Sequence, residues 1–161
     1  MLTEHQINAV WRNKLAAETR CLYFGDLSTK YARQKQWITG LSFFLSSGAA
    51  ATLVAKSPVA VPIALSVTTA IMTAYSIAVS LDQKVERLAK LSSSWREIAV
   101  AYDHLWNHAY EDDAEKDFNR IVDMEVAPSE LAAMDGPTDE RRLDHWQQRV
   151  FRLYHLTDQN A

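Results

Sequence analysis

Between Trp37 and Leu81 the chain carries one charged side chain, Lys56, with Pro58 and Pro62 close behind it. Few features restrict a fold as sharply as an uncharged stretch of this length. The hydrocarbon core of a bilayer is about 30 Å thick and a helix rises ~1.5 Å per residue, so a span needs roughly 20 apolar residues. Trp37–Ala55 supplies one such stretch and Val59–Leu81 a second. A helical hairpin buried in a globular core would need a polar stripe toward solvent and charges spaced along it. Neither segment shows charges, so the pattern predicts two spans joined by a proline-marked turn.

Composition alone hides this. The mean hydropathy of −0.22 is ordinary because the apolar residues are concentrated in one block. Met1–Gln36 is polar and amphipathic, which does not read as a secretory leader. Cys21 is the only cysteine, so no intrachain disulfide can form, in keeping with a reducing compartment. Lys30, Arg33 and Lys35 precede the first apolar stretch and Lys84, Arg87 and Lys90 follow the second. The positive-inside bias then predicts a multi-pass protein with both termini in the cytoplasm, with Trp37 as an interfacial anchor.

The apolar stretches have an inner pattern. In the first, Thr39, Ser42, Ser46, Ser47 and Thr52 dilute strong apolar side chains that contribute roughly −2 to −4 kcal/mol to insertion. Such a helix gains from protein neighbours. In the second, Ser66, Thr69, Thr73, Ser76 and Ser80 recur at spacings of three and four, which places them on one helical face. Beside them Ser66, Ala70, Ala74 and Ala78 form a ridge of small side chains. The hydroxyl face fits a water-lined pore assembled from several subunits, and it also fits ordinary close helix packing. At the turn, Ser57 can cap a helix with Pro58 in its first position. Pro62 either starts the regular helix or kinks its first turn. Lys56 can snorkel toward head groups.

The division expected is an N-terminal cytosolic helix over 1–36, the hairpin over 37–81, a cytosolic continuation over 82–110 and a helical region over 111–161. Thr3 and Gln6 form a capping-box pair, with Leu2 and Ile7 placed as a staple. Gly25 and Asp26 are read as an interruption. Leu88, Trp95, Tyr102 and Leu91, Ile98, Leu105 stand at seven-residue intervals, which calls for packing against the first helix or a sister subunit. No glycine or proline intervenes between Pro62 and Pro128. A continuous rod from Ile63 to Tyr110, roughly 70 Å long, is therefore expected. The charge then reverses: residues 1–102 hold 11 basic and 6 acidic side chains, residues 103–139 hold 2 and 11. The acidic run from Glu111 reads as the wet face of a helix bearing Phe118, Ile121 and Val122. Pro128 and Gly136-Pro137 are expected to be loops around a short helix at Ser129–Met134, with a last helix from about Asp139.

No reaction centre is evident, and the chain is read as a non-enzyme that needs no cofactor. It has only four glycines and no phosphate-binding glycine loop. His104 and His108 have helical metal-ligand spacing, but Leu105 stands where a zinc protease requires glutamate. Arg141, Arg142, Arg149 and Arg152 with Trp146 on the last helix suit recognition of a phosphate and a base, with Arg12, Lys14, Arg20 and Arg96 as further candidates. Pairing of these arginines with acidic side chains is the other reading.

Tyr31-Ala-Arg33-Gln-Lys35 before a serine-rich span, a proline turn, a second small-residue span and then Leu88–Trp106 with Ser92-Ser93-Ser94-Trp95 resembles the SLATT family. These are bacterial two-transmembrane effectors associated with nucleotide-signal antiphage defence. The resemblance covers Met1 to Tyr110 and implies an all-α, homo-oligomeric bundle in the inner membrane, with a tetramer favoured. It further implies a pore that disrupts the membrane when a nucleotide or oligonucleotide made by a partner nucleotidyltransferase changes in level, causing growth arrest or death on infection. The alternative is a non-conducting membrane scaffold whose cytosolic helices recruit a partner protein.

Overall fold

The computed structural model describes residues 1–46, 60–78, 80–134 and 139–156. Among them there are five helices and no strand: α1 (Glu4–Ser46), α2 (Ala60–Ala78), α3 (Leu81–Asn107), α4 (Ala114–Met134) and α5 (Glu140–Leu153). The all-α expectation is met. Among the described residues no helix is long and apolar enough to cross a membrane. The described part of the first apolar stretch ends at Ser46, and Lys56, Ser57, Pro58 and Gly136-Pro137 lie outside the described residues.

The chain forms two compact units, one comprising Met1–Asp26 and Leu88–Ala161, the other Leu27–Arg87. In the first, α1 opens with the capping box. The Thr3 amide donates to Gln6 Oε1 at 2.8 Å and the Gln6 amide donates to Thr3 Oγ1 at 3.3 Å, satisfying donors that a helix start leaves open. The Leu2 amide donates to the Ala109 carbonyl at 3.1 Å. Further along, Asn13 donates to Tyr102, Lys14 pairs with Asp103, and Ser92 Oγ donates to the Cys21 carbonyl. Rising numbers on α1 meet falling numbers on α3, so the two run antiparallel. The seven-residue stripe of α3 lies against α1: Leu88, Leu91, Trp95, Ile98, Tyr102 and Leu105 are all buried. Burying side chains of this size contributes about 1.5–3 kcal/mol each. Ile121 of α4 and Val150 of α5 close the same core.

Four expectations need correction. Gly25 and Asp26 do not interrupt α1, which runs through them. Glycine serves close approach there, since a Cβ at Gly25 would stand 3.2 Å from Ser92 Oγ. Pro128 is no loop, being buried inside α4; the expected short helix at Ser129–Met134 is the last part of a longer one. The acidic run starts its helix only in part, because Glu115 and Asp117 lie in the first turn of α4 while Glu111–Asp113 lie in the turn before it. The rod is not continuous either. Ser80 has φ 46°, the left-handed region that terminates a right-handed helix. Its carbonyl accepts from the Lys84 amide at 3.0 Å, so Ser80 opens α3 after α2 has ended.

In the second unit the later part of α1 packs along α2 and the start of α3. Ser28 Oγ donates to the Val85 carbonyl at 3.3 Å and Gln34 Nε2 donates to Tyr75 Oη at 3.4 Å. Lys35 pairs with Asp82, and the Lys84 ammonium lies 4.7 Å from the Tyr31 ring centre. Leu81 is the buried apolar residue of this unit among those described.

Candidate functional site

Seen down its axis, α2 divides into three sectors, given about 100° of rotation per residue. Leu65, Thr69 and Met72 are half-buried and form one stripe. Ser66 and Thr73 are exposed along a neighbouring edge. Ile63, Val67 and Ile71 occupy a third, exposed sector. The hydroxyl face expected from the sequence is therefore split: Thr69 borders the packed stripe while Ser66 and Thr73 face outward. Ser76 lies in α2, and Ser80 has left the helix. Thr69 Oγ1 donates to the Leu65 carbonyl and Thr73 Oγ1 to the Thr69 carbonyl, both at 2.9 Å. Hydroxyls that return a hydrogen bond to their own helix tolerate an apolar setting.

The arginine group on α5 is divided as well. Asp139 caps the helix, its side chain accepting from the Arg142 amide. Arg142 Nη1 donates to Asp26 Oδ2 at 2.6 Å and its Nε lies 3.1 Å from Asp139 Oδ2. The Trp146 Nε1–H donates to the same Asp26 oxygen at 3.4 Å. Arg142 and Trp146 thus hold α5 on α1. Arg141 is exposed, the Arg149 guanidinium stacks 5.1 Å from the Trp146 ring centre, and Arg152 Nε donates to the Gln148 carbonyl. Arg149 and Arg152, with His145 and Leu153, edge a shallow depression on this one helix.

The further cations separate into three environments. Lys14 is buried and bound to Asp103, between the rings of Trp11 and Tyr154. Burial by itself would lower its pKa, but the Asp103 hydrogen bond and the charge interactions with Tyr154 and Asp103 outweigh that, and the pKa is raised. Burial, together with the Glu18 carboxylate that its hydroxyl bonds at 2.6 Å, raises the Tyr154 pKa. Tyr102, wholly enclosed in the core, is pushed up to about 12 chiefly by burial. Arg96 lines a cleft of about 520 Å³ between α3 and α4, where Arg120 is accompanied by Glu97 and Asp117.

Arg12 and Arg20 border a third environment, a cleft of about 300 Å³ between α1 and α5. Arg20 stacks 4.4 Å above the ring of the buried Trp95. The sequence named these arginines singly. Their shared cleft was not legible, because it exists only once α5 lies antiparallel on α1.

The histidine rings of His104 and His108 stack 4.5 Å apart, with His108 Nδ1 2.9 Å from the His104 carbonyl oxygen. Among the described residues no group of three His, Cys, Asp or Glu side chains is placed to hold a metal. No family model, curated protein or solved structure matches the chain.

Proposed function

We propose that the chain is a subunit of a homo-oligomeric channel in the bacterial inner membrane, an effector of antiphage defence gated through its cytosolic helices by a nucleotide or oligonucleotide. One observation carries the membrane part of this reading: the second unit turns its apolar side chains outward over a length with no charge to carry them in water. Trp37 is 80% exposed and Ile71 63%, and Phe43, Phe44, Ile63 and Val67 are each more than half exposed. Exposed apolar side chains with no charge interleaved among them in either stretch call for lipid or a sister subunit. The basic residues Lys30, Arg33, Lys84 and Arg87 lie on the flanks of the apolar block, which favours a cytosolic location for both ends of the hairpin.

On this reading the three sectors of α2 have three neighbours. Leu65, Thr69 and Met72 meet α1, Ile63, Val67 and Ile71 meet acyl chains, and the Ser66–Thr73 edge meets sister copies or the aqueous lumen. A tetramer is the favoured assembly, and the nucleotide gating and defence role come from the resemblance to SLATT effectors. The protein reconstituted in liposomes should pass ions, and Thr73→Leu should change conductance while leaving the assembly intact. Unchanged currents in that variant would remove the edge from the pore. Assembled protein that conducts nothing while retaining a cytosolic partner would instead support the scaffold reading.

A further inference from the structure

We propose that the cleft between α1 and α5 binds a phosphorylated, ring-bearing anion of the nucleotide class, and that it, rather than the outer face of α5, is the regulator's site. The proposal rests on the reading above for the existence of such a regulator. Its geometry stands by itself.

Arg12, Ala16 and Arg20 follow one another at intervals of four along α1, and Leu143, Gln147 and Phe151 do the same along α5. Residues four apart share a helical face, so each helix presents a ridge of three to the other. The pairing is antiparallel, with Arg142 on Asp26 and Tyr154 on Glu18. Arg12 therefore falls toward the Phe151 end of the cleft and Arg20 toward the Leu143 end. The small side chain of Ala16 leaves the middle of the cleft open.

The charge in the cleft is of one sign. Its lining includes two arginines and no carboxylate, in a chain with 20 acidic side chains against 17 basic ones. Among the described residues neither Arg12 nor Arg20 pairs with a carboxylate, whereas Arg142 pairs with two. The backbone positions of Arg12 and Arg20 stand ~12 Å apart along the axis, and the Arg20 guanidinium lies 4.4 Å from the Trp95 ring centre, a group whose N–H donors can fork onto an oxyanion. From α5, half-buried Phe151 offers a ring face and exposed Gln147 an amide donor and acceptor. Such an arrangement suits two anionic groups flanking a flat polar-edged ring. The neighbouring cavities suit it less. The α3–α4 cleft contains Glu97 and Asp117, and the depression beside Arg149 is formed by one helix.

The probe is adenosine 3′,5′-bisphosphate, titrated calorimetrically into the full chain in nanodiscs, with adenosine and inorganic phosphate as its two halves. The bisphosphate should bind and weaken with salt, and each half should bind far more weakly. Arg12→Ala and Arg20→Ala should each reduce affinity roughly ten- to hundredfold. Ala16→Leu, at an exposed position that tolerates bulk, should abolish binding with helicity and melting temperature unchanged, while Arg149→Ala should bind like the parent. No binding by the parent, parental affinity in Ala16→Leu, phosphate binding as tightly as the bisphosphate, or a loss confined to Arg149→Ala would each overturn the assignment. Flux without binding sinks the cleft and spares the channel; binding without flux does the reverse.

Discussion

The two units of this chain dispose of apolar side chains in opposite ways. In the unit formed by Met1–Asp26 and Leu88–Ala161, Val10, Trp95, Ile98, Tyr102, Ile121 and Val150 are fully enclosed. That unit also exposes Val122, Val126 and Leu131, but Arg120, Asp123, Glu125 and Glu130 are interleaved with them. Over Leu27–Arg87 Trp37, Phe43, Phe44, Ile63, Val67 and Ile71 face outward, Leu65 and Met72 are half-buried, and Leu81 alone is buried among the described apolar residues. No charge lies between the exposed rings of Trp37, Phe43 and Phe44, or along Val61–Tyr75. The difference teaches that helical periodicity has two uses. In one unit it sorts residues between a core and water; in the other it separates a half-buried stripe (Leu65, Thr69, Met72) from a hydroxyl edge and an exposed apolar sector.

The strongest way to break this contrast is to cut the same kind of mass from both sides. Trp95→Ala should lower stability by about 3–5 kcal/mol, read as an earlier thermal transition, whereas Ile71→Ala should change it by no more than ~0.5 kcal/mol. Equal losses would mean Ile71 has a core of its own. Next in size, Ile71→Arg should cost about 2.5–3.5 kcal/mol of insertion and reduce recovery with vesicles, while the far-ultraviolet helical signal stays. Normal vesicle recovery would take that sector out of lipid.

The first unit should also have an alkaline limit. Tyr102, at about 12, and Tyr154 and Lys14, both raised, all keep their protons longer folded than unfolded. Their stabilising contribution is complete below pH ~10, where the unfolded groups begin to titrate, and is lost as pH rises toward 12. Tyr102→Phe should flatten that decline in a pH-dependent melt; an unchanged slope would assign it elsewhere. The smallest effect is expected at Lys35→Ala. Its pair with Asp82 is largely exposed, so a loss of ~0–1 kcal/mol is expected, and a larger one would show that the pair anchors the second unit.

Much of the fold was legible because it depends on local chemistry. The Thr3–Gln6 box and the Leu88–Leu105 stripe are short-range signals, and both took the expected form. Gly25 was misread because glycine marks either a break or a close approach, and only the position of Ser92 decides between them. Pro128 misled for a related reason, since burial within α4 outweighs a missing amide. The break at Ser80 carried no sequence mark, serine being common in the preceding segment. At the candidate site, single arginines could be named, but which of them would find a carboxylate depended on Asp26 lying opposite α5.

The break at Ser80 also limits how far one helical face extends along the chain. A left-handed residue there separates the helix that ends at Ala78 from the one that begins at Leu81, so hydroxyls before and after Ser80 do not share one continuous helical face.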